Sequence, residues 1–237
     1  MFEGLRNAWA RRSWSDAQSA PLKAWAQAQG MGFTPQAGGS YAMKGEWHRQ
    51  AVRIDCTAPS RPFIQGFELN GRVDLGMSMP GNVVVLNRAL KHRLETWASE
   101  LYAQYTDTLQ TTVNANLPEE MRWLAMYEEM TWPGLPASFR QHFAVIAERI
   151  DVAQRWIHAP VVSQLLNFLE GEHSAARAQS PLVLMLVRGK VYLRMEHTER
   201  SLPEVAHATQ MLLIGAQAAM QNLPPMSVAG PDDLPNV

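Results

Sequence analysis

The chain has 237 residues, 46% apolar and 18% charged, with a formal net charge of −1 and one cysteine. Such a composition fits a globular protein with a sizeable core. The near-zero charge excludes a global field for nucleic acid or an anionic surface, and the lone Cys56 excludes an internal disulfide and suits a reducing compartment. Residues 1–16 (MFEGLRNAWARRSWSD) have no unbroken apolar run, so they do not read as a signal peptide. No stretch approaches the roughly 20 apolar residues a transmembrane helix needs. The expected location is cytoplasmic, with peripheral attachment to the inner membrane as the variant.

Taken in order, residues 1–14 place Phe2, Leu5 and Trp9 at helical spacing, with Arg6, Arg11 and Arg12 elsewhere on the wheel. Such an arm could anchor at an anionic membrane or pack on a partner, through Phe2, Leu5, Trp9, Arg11 and Arg12. Ser19 to Gln29 reads as a helix capped by Ser19, with Pro21 in its first turn and Gly30 as its stop. After Gly38-Gly39 the pattern turns to β. Tyr41–Trp47 and Gln50–Cys56 flank a turn at His48-Arg49, with Val52, Ile54 and Cys56 alternating with Arg53 and Asp55.

Residues Phe63–Leu69 and Arg72–Met79 read as a hairpin around Asn70-Gly71. A three-residue loop, Leu69-Asn70-Gly71, pairs Glu68 with Arg72, Phe67 with Val73 and Phe63 with Met77, which segregates apolar and charged faces. Pro80-Gly81 is a turn, Asn82–Asn87 a strand, and Arg88 to about Gln110 a helix with Leu90, Leu94, Trp97, Leu101 and Tyr105 on one face.

Residues 111–118 read as a link. Glu119–Met130 reads as a helix whose adjacent Glu119 and Glu120 point to different sides, as solvated helix surface, and Phe139–Ile150 is strand or helix. Asp151–Ile157 and Pro160–Leu169 read as helices, and Glu172–Gln179 as a surface loop. The clearest β-hairpin is Pro181–His197. Its turn is either Gly189-Lys190, pairing Leu186 with Leu193, or Val187-Arg188-Gly189, pairing Met185 with Val191. Its first strand is apolar on both faces, which marks it as central and buried. Ser201–Gln221 is a helix capped by Ser201, and the proline-rich 223–237 reads as a disordered tail.

The fold class expected is therefore α+β, antiparallel strands with helices on one face. The organisation is an arm at 1–18, a lobe at 19–110, a link at 111–118, a lobe at 119–222 and a tail at 223–237. Gly71-Arg72-Val73-Asp74-Leu75-Gly76-Met77 and Gly189-Lys190-Val191-Tyr192-Leu193-Arg194-Met195 run in parallel, so an internal duplication is an expectation. Residues 139–196 (FAVIAERIDVAQRWIHAPVVSQLLNFLEG and the hairpin) resemble an uncharacterised family of bacterial proteins. In those, a Phe-x-Val segment leads to an Asp-x-Ala helix and a Leu-rich helix. The resemblance implies a bacterial α+β protein and brings no functional residues.

No cofactor fingerprint, phosphate loop, nucleophile elbow or metal-spaced cluster is present, so neither cofactor nor metal is expected. Glu196-His197-Thr198-Glu199 is the tightest mixed cluster of ionisable side chains. The arginines of the first lobe, with Tyr41 and Trp47, would suit a single-stranded nucleic acid, but Glu46, Asp55, Glu68 and Asp74 share their strands and offset the charge. The leading expectation is a non-enzymatic binding or scaffold module acting through protein contacts, with self-association through an excess of Trp and Met. The alternative is an enzyme or small-ligand binder with a pocket between sheet and helices, built from Trp47, His48, Arg53, Asp55, Glu68 and Asp74.

Overall fold

The computed structural model describes residues 16–108, 118–171, 173–197 and 201–224. The arm at 1–14, nearly all of the link and the tail from 225 onward lie outside the described residues, and so do Thr198 and Glu199. Among the described residues eight strands form one antiparallel sheet: β1 (Gly32–Pro35), β2 (Tyr41–Trp47), β3 (Gln50–Thr57), β4 (Phe67–Asp74), β5 (Val83–Asn87), β6 (Phe143–Ala147), β7 (Leu182–Val187) and β8 (Lys190–His197). Their order is β1-β2-β3-β4-β8-β7-β5-β6. The described helices are α1 (Asp16–Ala28), α2 (Arg88–Thr108), α3 (Glu119–Met126), α4 (Ala137–His142), α5 (Ile150–Trp156), α6 (Ala159–Asn167), α7 (Ser174–Gln179) and α8 (Leu202–Asn222). The fold is α+β, as the pattern of the sequence predicts.

The two halves of the sheet differ in how they are covered. One face along its whole width is apolar, with Met43, Ile54, Leu69, Val85, Val145, Leu184 and Leu193 packed against α1, α5, α6 and α8. At the β5-β6-β7 end the second face is apolar too: Val84, Leu86, Ile146, Val183 and Met185 meet Leu90 and Leu94 of α2 and Met121 of α3. Strands buried on both faces need apolar residues at successive positions, which is what VVVLN, FAVIA and LVLMLV supply. The same demand makes Phe143–Ala147 a strand and leaves only residues 137–142 helical before it. Helices on one face thus describes only the β1–β4 end, and α2 and α3 cover the other face elsewhere. Nor do residues 19–110 and 119–222 build separate sheets, since β5 lies between β7 and β6, and β4 pairs with β8.

The Asn70-Gly71 hairpin does not form. Residues 67–74 are one continuous strand, and Asn70 and Gly71 pair across with Arg194 and Leu193. The glycine meets a packing demand, not a turn: a Cβ built on Gly71 would lie 2.8 Å from Leu212 Cδ2 of α8. Phe63 and Ile64, expected in its first arm, instead enter the second-face core from a loop. With that hairpin gone, the in-register match that motivated a duplication compares a strand interior with a turn.

The second hairpin forms, with neither expected loop. Arg188 and Gly189 both have positive φ, so the turn is a two-residue type I′ that pairs Val187 with Lys190 and Leu186 with Val191. A side chain at Gly189 would strike the Met77 carbonyl oxygen. His48-Arg49 is the other two-residue turn, positive in φ at both residues and in the expected place. Three helix limits also differ, one of them that of α3, which stops at Met126 where Met130 was expected, Glu129 instead bridging to Ile146. The first described helix begins by Asp16, so Ser19 is an interior residue and not its cap, and residues 174–179 are helical where a loop was expected. Ser201 caps α8 as its spacing predicts, its hydroxyl accepting from the Glu204 N–H.

Candidate functional site

On β2, β3, β4 and β8 the period-two alternation leaves one face polar, and beyond the reach of α2 and α3 no described helix covers it. Cross-strand register sorts its side chains into rows. Lys44, Arg53, Arg72 and Tyr192 form one row, each directly opposite the next on neighbouring strands. Ala42, Asp55, Asn70 and Arg194 form the adjacent row. Where the open half meets the covered half, the sheet bears a half-open cleft of about 290 Å³. Its lining comprises Arg53, Asp55, Asn70, Arg72, Tyr192 and Arg194, with Met185 at the apolar end and the backbone of Gly71 and Leu193 as floor.

The deep end of the cleft is closed by a buried ion network. Arg194 Nε lies 2.7 Å from Glu68 Oε1, and its second nitrogen donates to Glu120 Oε1 of α3. Arg61 Nε donates to Glu120 Oε2 at 2.9 Å. The Ser60 hydroxyl donates to Glu68 Oε1 at 3.0 Å and the Ser60 backbone N–H to Oε2. Arg194 Nε also reaches Asn70 Oδ1 at 3.3 Å. Glu68 is 0% exposed and Glu120 2%. Removing one partner of such a set would strand an uncompensated buried charge, which costs several kcal/mol. The network therefore fixes the 58–66 loop and α3 against the sheet.

The mouth is different. Arg53 Nε donates to Asp55 Oδ2 at 2.5 Å, and this hydrogen bond, reinforced by the carboxylate charge, raises the Arg53 guanidinium above its ordinary pKa. Asp55 Oδ1 is buried without a hydrogen-bond partner. Arg72 is exposed and has neither hydrogen bond nor ion pair among the described residues. Its charge is felt by Asp74, but that carboxylate is bonded to Lys190 and to the Gly76 N–H. These bonds, the Lys190 one foremost, hold Asp74 below the usual carboxylate range. Four arginines (53, 61, 72 and 194) thus face three carboxylates (55, 68 and 120), and Arg72 is the cation left over. The lining carries three arginines beside Asp55, Asn70 and Tyr192, a set able to recognise a charged group.

Of the six ligand candidates named from sequence, the structure brings together Arg53, Asp55 and, at the deep end, Glu68. Asp74 shares their face but sits beyond the lining with Lys190. Trp47 points to the opposite, core side, and His48 stands in the turn edge-on to it, ring centroids 4.5 Å apart. Tyr41 is likewise buried on the core side, so neither aromatic expected among the arginines lies there, and the aromatic beside Arg72 is Tyr192. Asn70, Arg72, Tyr192, Arg194, Arg61 and Glu120 were missed. Reading β4 as one strand would have aligned Arg72 with Arg53 through ordinary alternation, whereas nothing in the sequence signals that Glu120 reaches the sheet.

His197 is fully buried at the end of β8, its Nδ1 2.6 Å from Glu204 Oε2 and its Nε2 without a partner. Glu196 lies on the other face and accepts from the Gln65 N–H, so the two do not act as one site. Among the described residues no group of three His, Cys, Asp or Glu side chains could hold a metal ion. Nor is any described helix long and apolar enough to cross a membrane. Cys56 is buried in the core.

No protein-family model and no curated protein matches the sequence. The chain is similar in structure to the mycobacterial trehalose monomycolate transport factor A, with a TM-score of 0.47 and 11% identity over 90% of this chain and 99% of that one.

Proposed function

We propose that this chain is a non-enzymatic binding protein whose recognition site is the cleft on the open half of the sheet. The observation that carries the reading is the chemistry of the lining: its carboxylate, Asp55, is paired with Arg53, the buried Glu68 and Glu120 behind it are paired with Arg194 and Arg61, and Arg72 stands at the mouth with no partner among the described residues. Acid–base or nucleophilic catalysis needs a group able to give or take a proton at the substrate; in the lining Asp55, already paired with Arg53, and the Tyr192 hydroxyl are of that kind, set among three arginines. Recognition needs fixed donors on a rigid floor, and a sheet locked by a buried ion network supplies them. The cleft is at the small end of the range for small-molecule sites and half open. A macromolecular partner that covers the mouth fits it better than a fully enclosed metabolite.

Affinity purification from the native host tests this. Wild type is compared with Arg72→Trp, which fills the mouth, and with Arg155→Trp, an exposed residue on α5. Partners retained by wild type and the α5 variant but lost from Arg72→Trp support the reading. Partners retained equally by all three refute it.

A further inference from the structure

We infer that the cleft takes an acidic segment of a protein partner, laid across the strands along the Lys44-Arg53-Arg72 row; this rests on the binding reading above and adds the chemistry of what is bound. Three cations stand directly opposite one another on adjacent strands. Like charges in that relation are unfavourable unless something negative lies between them. Asp55 answers Arg53 alone. Lys44 and Arg72 are exposed and without a hydrogen bond or ion pair among the described residues. The acidic residues two along from the row are Asp55 on β3, paired with Arg53, Glu46 on β2, and Asp74 on β4, which is committed to Lys190.

The dimensions select a polypeptide over a small anion. Strands lie about 4.8 Å apart, so the row spans about 10 Å, and side chains two apart on an extended segment are separated by about 6.6 Å. Two carboxylates at alternate positions of such a segment would each meet a cation of the row. Arg72 offers planar, weakly hydrated donors suited to a carboxylate, and Lys44 offers a mobile point charge. The row runs past the cleft, since Lys44 is outside its lining, and a single small anion would leave that end unused. Tyr192 and Met185, at the other end, give the segment an apolar contact.

Fluorescence anisotropy with a fluorescein-labelled oligoglutamate peptide tests the inference, with oligolysine and sodium phosphate as alternative probes. The expected result is binding of oligoglutamate that weakens with added salt. Arg72→Gln should lower affinity about tenfold and Lys44→Gln about threefold, while Arg155→Gln has no effect. Both row residues are exposed, so neither variant should disturb the fold, and Arg72→Lys should recover part of the loss. The inference is overturned if oligoglutamate does not bind, if the row variants bind it as wild type does, or if phosphate alone binds with the same dependence on Arg72. Loss of partners from Arg72→Trp together with failure of oligoglutamate would refute this chemistry and leave the binding reading standing. No Arg72→Trp-sensitive partner would refute the reading itself.

Discussion

Gly71 offers a sharp test of how the sheet is built. Its backbone is ordinary strand, so replacing it by alanine causes no dihedral strain, and the change would by itself gain about 0.4–1 kcal/mol by restricting the unfolded chain. Against this, the new methyl would lie 2.8 Å from Leu212 Cδ2 and 3.5 Å from Leu193 Cβ in a core where Leu212 is 0% exposed. Overpacking of that kind costs about 1–3 kcal/mol, so Gly71→Ala should lose about 1–2 kcal/mol net. Leu212→Ala alone should lose about 2–5 kcal/mol through the cavity it leaves. In the double variant the methyl introduced at position 71 occupies space that the leucine vacated, and the combined loss should fall short of the sum of the two by about 1–2 kcal/mol. Urea unfolding of the four proteins gives this coupling directly. If Asn70-Gly71 were a turn, Gly71→Ala would be costly through strain at positive φ, and Leu212→Ala would not relieve it. Additivity within about 0.5 kcal/mol would therefore refute the packing argument.

Other consequences are equally measurable. Arg194→Met deprives buried Glu68 and Glu120 of their shared cation and should lower unfolding stability by about 3–5 kcal/mol in urea. Burial, helped by the charge of Arg177 and opposed by the Gln164 carbonyl, holds His207 below its ordinary value. The unfolded chain then binds the proton first. The His207 contribution is complete above about pH 6.5 and is lost as pH falls further. His207→Gln should flatten that part of a urea-stability profile taken between about pH 7.5 and about pH 5. The paired substitution His48→Asn with Arg49→Gly places turn-forming residues where both native ones have positive φ. It should raise stability by about 0.5–1 kcal/mol by thermal unfolding.

Much of the architecture was legible because it rests on local signals. Alternation in Gln50–Cys56, the His48-Arg49 turn, the heptad-like spacing from Leu90 to Leu101 and the Ser201 cap each fix an element from its own residues. The β4 error came from a signal that was real but non-local in origin. Asn70-Gly71 has the composition of a turn, yet its glycine answers to Leu212, 141 residues later in the chain. That single misreading hid Arg72 in an expected turn flank and separated it from Arg53, its cross-strand neighbour. Glu120 reads as solvated helix surface because adjacent glutamates on a short helix look so. Its burial is decided by Arg61 and Arg194, which only the tertiary fold brings to α3. Fold class follows from periodicity, whereas a site assembled from four separate elements does not.

Site-specific photo-crosslinking in the native host tests the cleft as a binding site most directly. Benzoylphenylalanine in place of Tyr192 puts the reactive ring inside the lining, and in place of Gln154 puts it on the exposed side of α5. A discrete protein adduct formed through position 192 and absent through position 154 is the expected result. No adduct at 192, or the same adducts at both positions, would contradict the account.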